Sequence, residues 1–182
     1  MYKLPHLNFF CKNQLTIEMV DLIDKNGYRA NVGIVLMNRQ KELFFAKRRY
    51  QSGWQFPQGG IHLGETPEHA MYRELLEETG LTKNDTELLS ESNNWYQYKI
   101  PKKHLRKSKK GKPFVIGQRL KWFLLKLTGS EEAISLIHPS KFKQEFDNWK
   151  WVDPALPAKQ VIRFKQHVYE QVLSEIQTFF NP

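Results

Sequence analysis

The sequence predicts one α/β domain, a mixed sheet with a helix in mid-chain and another near the C-terminal end. Three observations predict it. Short apolar or alternating runs recur between turn residues, as strands do. A stretch with start and stop signals of a helix interrupts them near residue 70. Residues 157–179 then carry apolar side chains at helical spacing. Such a mixture is expected to pack as an α/β sandwich. The 182 residues, 40% hydrophobic and 13% aromatic, suit one domain with a sizeable core.

In chain order, residues 32–37 (Val-Gly-Ile-Val-Leu-Met) read as a buried strand, and residues 43–46 as a second after a turn at 38–41. Trp54-Gln55-Phe56 is short and extended, and residues 57–64 read as a loop. Residues 87–90 and 94–100 suit strands. Residues 117–127 alternate and then run apolar, as a long strand partly buried on both faces would. Residues 148–152 form another short strand. The terminal helix is carried by Val161, Ile162, Phe164, Val168, Val172, Leu173, Ile176 and Phe179. Residues 1–18 are expected to be a poorly ordered extension or a mis-assigned start before Met19, leaving a single domain over 19–178.

The central helix is the most specific feature. Thr66 can cap it, Pro67 suits its first position, and Glu68 complements the positive end of its dipole. Gly80 suits the left-handed position after the last turn. Glu74, Glu77 and Glu78 are i, i+3 and i+4 neighbours on one flank. Met71, Tyr72, Leu75 and Leu76 fall on the other flank, toward a core. Three carboxylates on adjacent turns repel each other, and a cation relieves that cost. Oxygen-only ligands favour Mg²⁺ or Mn²⁺ over zinc. Arg73 either pairs with a neighbouring glutamate and steadies the cluster or is a surface charge.

An E-x-x-E-E string alone is commonly a solvated helix face. Here it belongs to G-x5-E-x7-R-E-L-x-E-E-x-G-L over residues 59–81, which fixes nine positions in 23 residues. That string resembles the complete box of the Nudix hydrolases, which cleave a nucleoside diphosphate linked to another group. Further strings resemble the family's bacterial RNA pyrophosphohydrolase branch: Trp54-Gln55-Phe56-Pro57-Gln58-Gly59-Gly60, Gly27-Tyr28-Arg29-Ala30-Asn31-Val32-Gly33, Ile116-Gly117-Gln118, Glu145-Phe146-Asp147 and Phe164-Lys165. Position 30 is alanine where that branch usually has proline.

The resemblance implies a Nudix α-β-α sandwich. It implies metal ligation by Glu74, Glu77, Glu78, the Gly59 carbonyl and the distant Glu145. Glu74, Glu78 and Glu145 are the catalytic candidates, Glu74 being the first choice of base and Glu145 the second. Glu65, Arg73 and Gly80 are expected to be structural. Arg29, Arg48, Tyr98, Phe164 and Lys165 match substrate positions, with Arg48 and Phe164 placed to sandwich a base and Arg29 and Tyr98 to reach phosphates. Lys47 and Arg49 are weaker phosphate candidates. The expected substrate is the single-stranded 5′-triphosphate or diphosphate end of RNA. Dinucleoside polyphosphates are the alternative. A silent RNA-binding module would lack one of the three box glutamates, and all are present. Nothing supplies a base pocket for a scavenger of oxidised nucleotides.

Net charge is +9, which suits a polyanion partner. Lys99, Lys102, Lys103, Arg106, Lys107, Lys109, Lys110 and Lys112 crowd one segment, and no acidic residue lies between Glu91 and Glu131. A solvated loop is the plain alternative to an RNA-backbone surface. The single cysteine, Cys11, excludes an internal disulfide and fits the cytoplasm. No apolar run approaches the roughly 20 residues needed to span a bilayer, so no membrane partner is expected. The histidines show no metal-ligand spacing.

Overall fold

A computed structural model describes residues 20–105, 114–137 and 144–180. The expectation for residues 1–18, and the basic residues Arg106, Lys107, Lys109, Lys110 and Lys112, lie outside the described residues. Among the described residues eight strands form one mixed sheet. They are β1 (Tyr28–Met37), β2 (Leu43–Arg48), β3 (Trp54–Gln55), β4 (Gln58–Gly60), β5 (Thr86–Glu91), β6 (Tyr96–Lys99), β7 (Gly117–Leu127) and β8 (Phe146–Val152). Helix α1 (Pro67–Thr79) lies between β4 and β5, and α2 (Pro157–Gln160) and α3 (Gln166–Glu175) follow β8. The principal order is β3-β2-β1-β7-β5, with β4 on β1, β6 on β7 and β8 on β2.

β1 and β7 form the parallel centre, in register from Tyr28↔Gly117 to Met37↔Lys126. Both faces of this pair are covered, so both strands read as near-continuous apolar runs. Strand alternation divides the core in two. Val32, Ile34 and Leu36 join Phe123, Leu125 and the α1 residues Ala70, Met71 and Leu75 on one face. Val35, Met37, Leu120, Trp122 and Leu124 meet Val168, Tyr169 and Val172 of α3 on the other. The expected α/β mixed-sheet sandwich, helix over each face, is what forms.

Three expectations are corrected. Residues 57–64 are not all loop. Gln58–Gly60 is β4, antiparallel to β1 with Gly60 opposite Asn31 and Gly59 opposite Val32. The glycines that signal a turn here permit close approach within a sheet. Residues 157–179 are not one helix. Val161 and Ile162 are extended after α2, and a 3₁₀ turn at Arg163–Lys165 precedes α3. Each segment still buries its apolar residues, so the spacing persists. The break turns Lys165 inward, where its ammonium finds amide acceptors. Finally, Glu74 and Glu78 do not oppose the apolar flank of α1. They are buried beside Met71 and Leu75, while Leu76 is half-buried. The helix packs on β1 and β4 together, and β4 presents glycines where the glutamates enter.

Candidate active site

The helix that carries the site is held at both ends as its sequence dictates. Thr66 accepts from the His69 N–H at 3.2 Å, and Pro67 takes the first helical position. Gly80 adopts φ 74°, and its N–H donates to the Leu76 carbonyl. These caps fix where the glutamates stand.

Arg73 is the hub. Its Nε and Nη2 donate to the two Glu65 oxygens at 2.8 and 2.9 Å, a bidentate pair. Nη1 donates to Glu74 Oε1 at 2.6 Å and reaches Glu77 Oε1 at 3.5 Å. Nη2 also donates to the Gly60 carbonyl at 2.7 Å. One guanidinium therefore ties the helix to the loop that leads into it. Burial pushes the Glu65 carboxyl upward, but the Arg73 bonds and the His62 backbone N–H outweigh it, and the net shift is downward. Burial likewise opposes the Arg73 charge, and the bonds to Glu65 and Glu74 overcome it. Arg73 is thus paired with neighbouring glutamates and is not a free surface charge, and Glu65 lies at the start of the helix in its grip.

The box carboxylates are buried and crowded. Glu74 is 8% exposed and Glu78 9%. Burial raises Glu74, with Glu77 adding and Arg73 opposing. Burial raises Glu78 well above the usual carboxylate range, and the charges of Glu74, Glu145 and Glu77 add to it. The Gln58 backbone N–H, which donates to Glu78 Oε2 at 2.8 Å, opposes that rise. Glu145 immediately precedes β8 and pairs with Arg48 at 3.6 Å. The distant acidic candidate is therefore within electrostatic reach of the helix.

Gly59 completes the arrangement. A side chain there would collide with the Glu74 carboxyl, so glycine is required for this glutamate to lie against β4. Among the described residues no three acidic or histidine side chains are gathered closely enough to hold an ion as they stand. Arg73 and the Gln58 N–H instead occupy their oxygens. The donor set nonetheless fits a hard divalent cation, since it consists of oxygen ligands whose buried charges repel one another.

The substrate candidates divide. Arg29 is half-buried beside Gly60 and pairs with Asp21 at 2.7 Å. Arg48 is half-buried on Glu145, with its Nε unbonded among the described residues. Phe164 is half-buried, its ring 5.6 Å from those of Tyr98 and His104. Tyr98 does not face outward to phosphates as expected. It is 3% exposed, and its hydroxyl donates to Gln118 Oε1. Lys165 is also buried, its Nζ donating to Gln55 Oε1 and Gln58 Oε1 at 2.9 Å each. Burial, with Arg48 adding, lowers it to about 7 against the pull of Glu78 and Glu145. Both residues brace the floor of the site.

Sequence reading missed that floor. Gln58 Nε2 donates to Gln118 Oε1 at 3.2 Å, linking β4 to β7, and Lys165 joins Gln55 to Gln58. A signal existed, because all three glutamines sit in otherwise apolar or glycine-rich strings. Asp21 is missed as well; it approaches His62, which reads in the sequence as an ordinary polar residue, to 3.9 Å. Asp21 lies outside the string at residues 27–33, before it, so nothing local marks it.

A mixed sheet between helices, with a capped acidic helix laid on a glycine strand, defines a Nudix-type α/β sandwich. The NUDIX domain matches residues 27–172, and the chain belongs to the Nudix family. Nudix hydrolases generally use divalent metal ions. Among its relatives, an RNA pyrophosphohydrolase of Pseudoalteromonas translucida is 48% identical over 164 residues, covering 88% of this chain and 91% of the relative. One of Yersinia pestis is 51% identical over 154 residues, covering 85% and 86%. Solved structures share the fold. The E. coli dihydroneopterin triphosphate pyrophosphohydrolase matches with a TM-score of 0.63 at 20% identity, over 80% of this chain and 95% of that one. A C. elegans Ap4A hydrolase in a binary complex matches with a TM-score of 0.56 at 19% identity, over 82% and 98%.

Proposed function

We propose that this protein is an RNA 5′ pyrophosphohydrolase, dependent on Mg²⁺ or Mn²⁺, that converts the 5′-triphosphate or diphosphate end of RNA to a monophosphate. In that reading it initiates mRNA decay in the cytoplasm, and residues 19–178 are its catalytic domain. The observation that carries the reading is the 51% identity to an RNA pyrophosphohydrolase over 85% of the chain. The net charge of +9 supports a polyanionic substrate.

Glu74, Glu77, Glu78 and Glu145, with the Gly59 carbonyl, are the residues that would hold the ion. When bound, it neutralises phosphate charge and makes a water more acidic. The chain supplies the rest. Arg73 holds Glu65 and steadies Glu74 and Glu77. Glu74 takes the proton of the attacking water, with Glu145 as the second candidate, and Glu78 completes the catalytic set. Arg29 meets the phosphates as it gives up Asp21, and Arg48, released from Glu145, lies against the base opposite Phe164. Phe164 stacks on a base, and Tyr98 and Lys165 support it from below.

The test is a competition at fixed Mg²⁺ between a 5′-triphosphorylated RNA oligomer and diadenosine tetraphosphate, with Glu78→Gln as control. RNA is expected to win in kcat/KM by about tenfold or more, and the variant to lose at least about 100-fold in turnover while still binding RNA. A preference for the dinucleotide would replace the RNA reading with the alternative substrate class. Near-normal turnover by the variant would overturn the site.

A further inference from the structure

On the α1 side of the sheet, beyond the end of the helix, lies a cavity of about 340 Å³ that none of the residues assigned to phosphate or base contact lines. Its walls include Trp95, Tyr28, Arg119, Leu22 and Ile61. That volume is in the range of small-ligand pockets. Trp95 is 37% exposed, large for an aromatic of this protein, and the Arg119 guanidinium lies over its ring, 4.6 Å from the centroid. Tyr28 lies flat over Gly117, where any side chain would strike its ring. Lys99 is opposite Gly117 and Gln97 opposite Arg119, so Lys99 and Arg119 project from the same face.

The charge of this face favours an anion. Among the described residues neither Arg119 nor Lys99 has a carboxylate partner. Of the two acids lining the cavity, one is neutralised by an ion pair and the other is held by backbone bonds. Glu65 is gripped by Arg73, and Asp24 accepts the N–H groups of Asn26 and Tyr28. An exposed ring beside cations that lack a carboxylate partner is what unpaired nucleic acid requires, because every base has a face to stack and every linkage a charge.

Two residues of the cavity wall, Ile61 and Glu65, border the site. Ile61 follows Gly60 directly, and Glu65 holds the guanidinium that steadies Glu74. On the other side, β6 runs from beside Trp95 through Lys99 into the 3₁₀ turn Lys102–His104, where the His104 ring is 5.6 Å from Phe164. Lys99, Lys102 and Lys103 thus lie on the stretch of chain that runs from Trp95, at the cavity, to His104, beside Phe164.

We propose that the Trp95–Tyr28–Arg119 cavity receives an unpaired base of the RNA downstream of the 5′ end, with Lys99, Lys102 and Lys103 following the intervening backbone. This rests on the RNA 5′ reading above. It makes substrate length a determinant of affinity, separate from the chemistry.

The experiment uses the full chain and its Trp95→Ala, Trp95→Phe and Arg119→Gln variants. Binding of a 5′-hydroxyl single-stranded RNA 12-mer is followed by anisotropy. Turnover is followed on a triphosphorylated 12-mer and on a triphosphorylated dinucleotide. Trp95→Ala and Arg119→Gln are expected to weaken 12-mer binding by roughly fivefold or more and to raise KM alone on the triphosphorylated 12-mer. Trp95→Phe is expected to retain most of the affinity, and dinucleotide turnover to stay at the parent level in all three. Unchanged 12-mer binding overturns the proposal and leaves the cavity to a polypeptide partner. Equal losses on 12-mer and dinucleotide also overturn it, since Trp95 would then only support the fold. Trp95-dependent RNA binding by a protein that hydrolyses no triphosphorylated RNA sustains this surface and sinks the RNA 5′ reading instead.

Discussion

The Glu74 carboxyl occupies the volume that a side chain on Gly59 would need. The two residues are 15 positions apart, yet neither can change independently. Gly59→Ala is therefore expected to displace the end of a flexible glutamate rather than a backbone. The fold should survive, with a far-UV spectrum like the parent's. Turnover should fall by about 100-fold or more, as for loss of a charged catalytic group. An alanine variant that is folded and fully active would mean that Glu74 works from elsewhere.

Glu78 gives a pH signature with a definite sign. Its carboxyl is raised well above the ordinary value of 4.5, by burial first and then by the charges of Glu74, Glu145 and Glu77 against the opposing Gln58 N–H. The folded state thus binds more protons than the unfolded state between 4.5 and the raised value. Stability in chelator is expected to fall as pH rises through that window and to be level below it. Stabilisation by added Mg²⁺ should run the opposite way and grow with pH, because binding displaces the proton. Urea melts of the parent and of Glu78→Gln, from about pH 5 to pH 8, check this. A parent slope no steeper than that of the variant would remove Glu78 as its source.

Much of this was legible in the sequence, and the reason is local. Thr66, Pro67 and Gly80 announce the ends of α1 because capping chemistry is satisfied within one turn. The β1 and β7 runs are apolar on both faces because both faces are covered. What escaped depended on contacts between distant segments. Gln58–Gly60 looks like a loop until β1 is beside it. The inward turn of Lys165 follows from Gln55 and Gln58, more than a hundred residues earlier. The resemblance puts Tyr98 at the phosphates, whereas the register opposite Gln118 turns it inward, which no local pattern announces. Periodicity located the glutamates, but only packing against a glycine strand put Glu74 and Glu78 on the buried side.

Arg73 is expected to resist replacement even by lysine. Its fork makes a bidentate pair with Glu65 while still reaching Glu74, Glu77 and the Gly60 carbonyl. An ammonium keeps the charge but cannot span these partners at once. Arg73→Lys should lower stability by roughly 1–3 kcal/mol, as for loss of charge-assisted bonds. It should also cut activity by about 10- to 100-fold by loosening residues that touch the reaction. Thermal melts and kcat at saturating Mg²⁺ measure the two effects. A variant that loses stability but keeps full kcat would confine Arg73 to the fold.

The basic segment after β6 makes a prediction that concerns salt rather than structure. Lys107, Lys109 and Lys110 carry three charges in four residues, with no acid between Glu91 and Glu131 to offset them. If they meet RNA phosphates, each contact releases condensed counterions, and the logarithm of affinity falls against the logarithm of salt with a slope of about −0.7 per contact on single strands. Replacing all three with alanine should therefore flatten that slope by up to about 2 and weaken binding most at low salt. The loss should be similar for RNAs of different sequence, since a phosphate contact reads no base. Turnover of a triphosphorylated dinucleotide should be untouched, because the box glutamates and Arg73 remain. A binding isotherm taken at several salt concentrations separates the two readings of the segment. The parent and the triple variant with parallel slopes would make it a solvated loop.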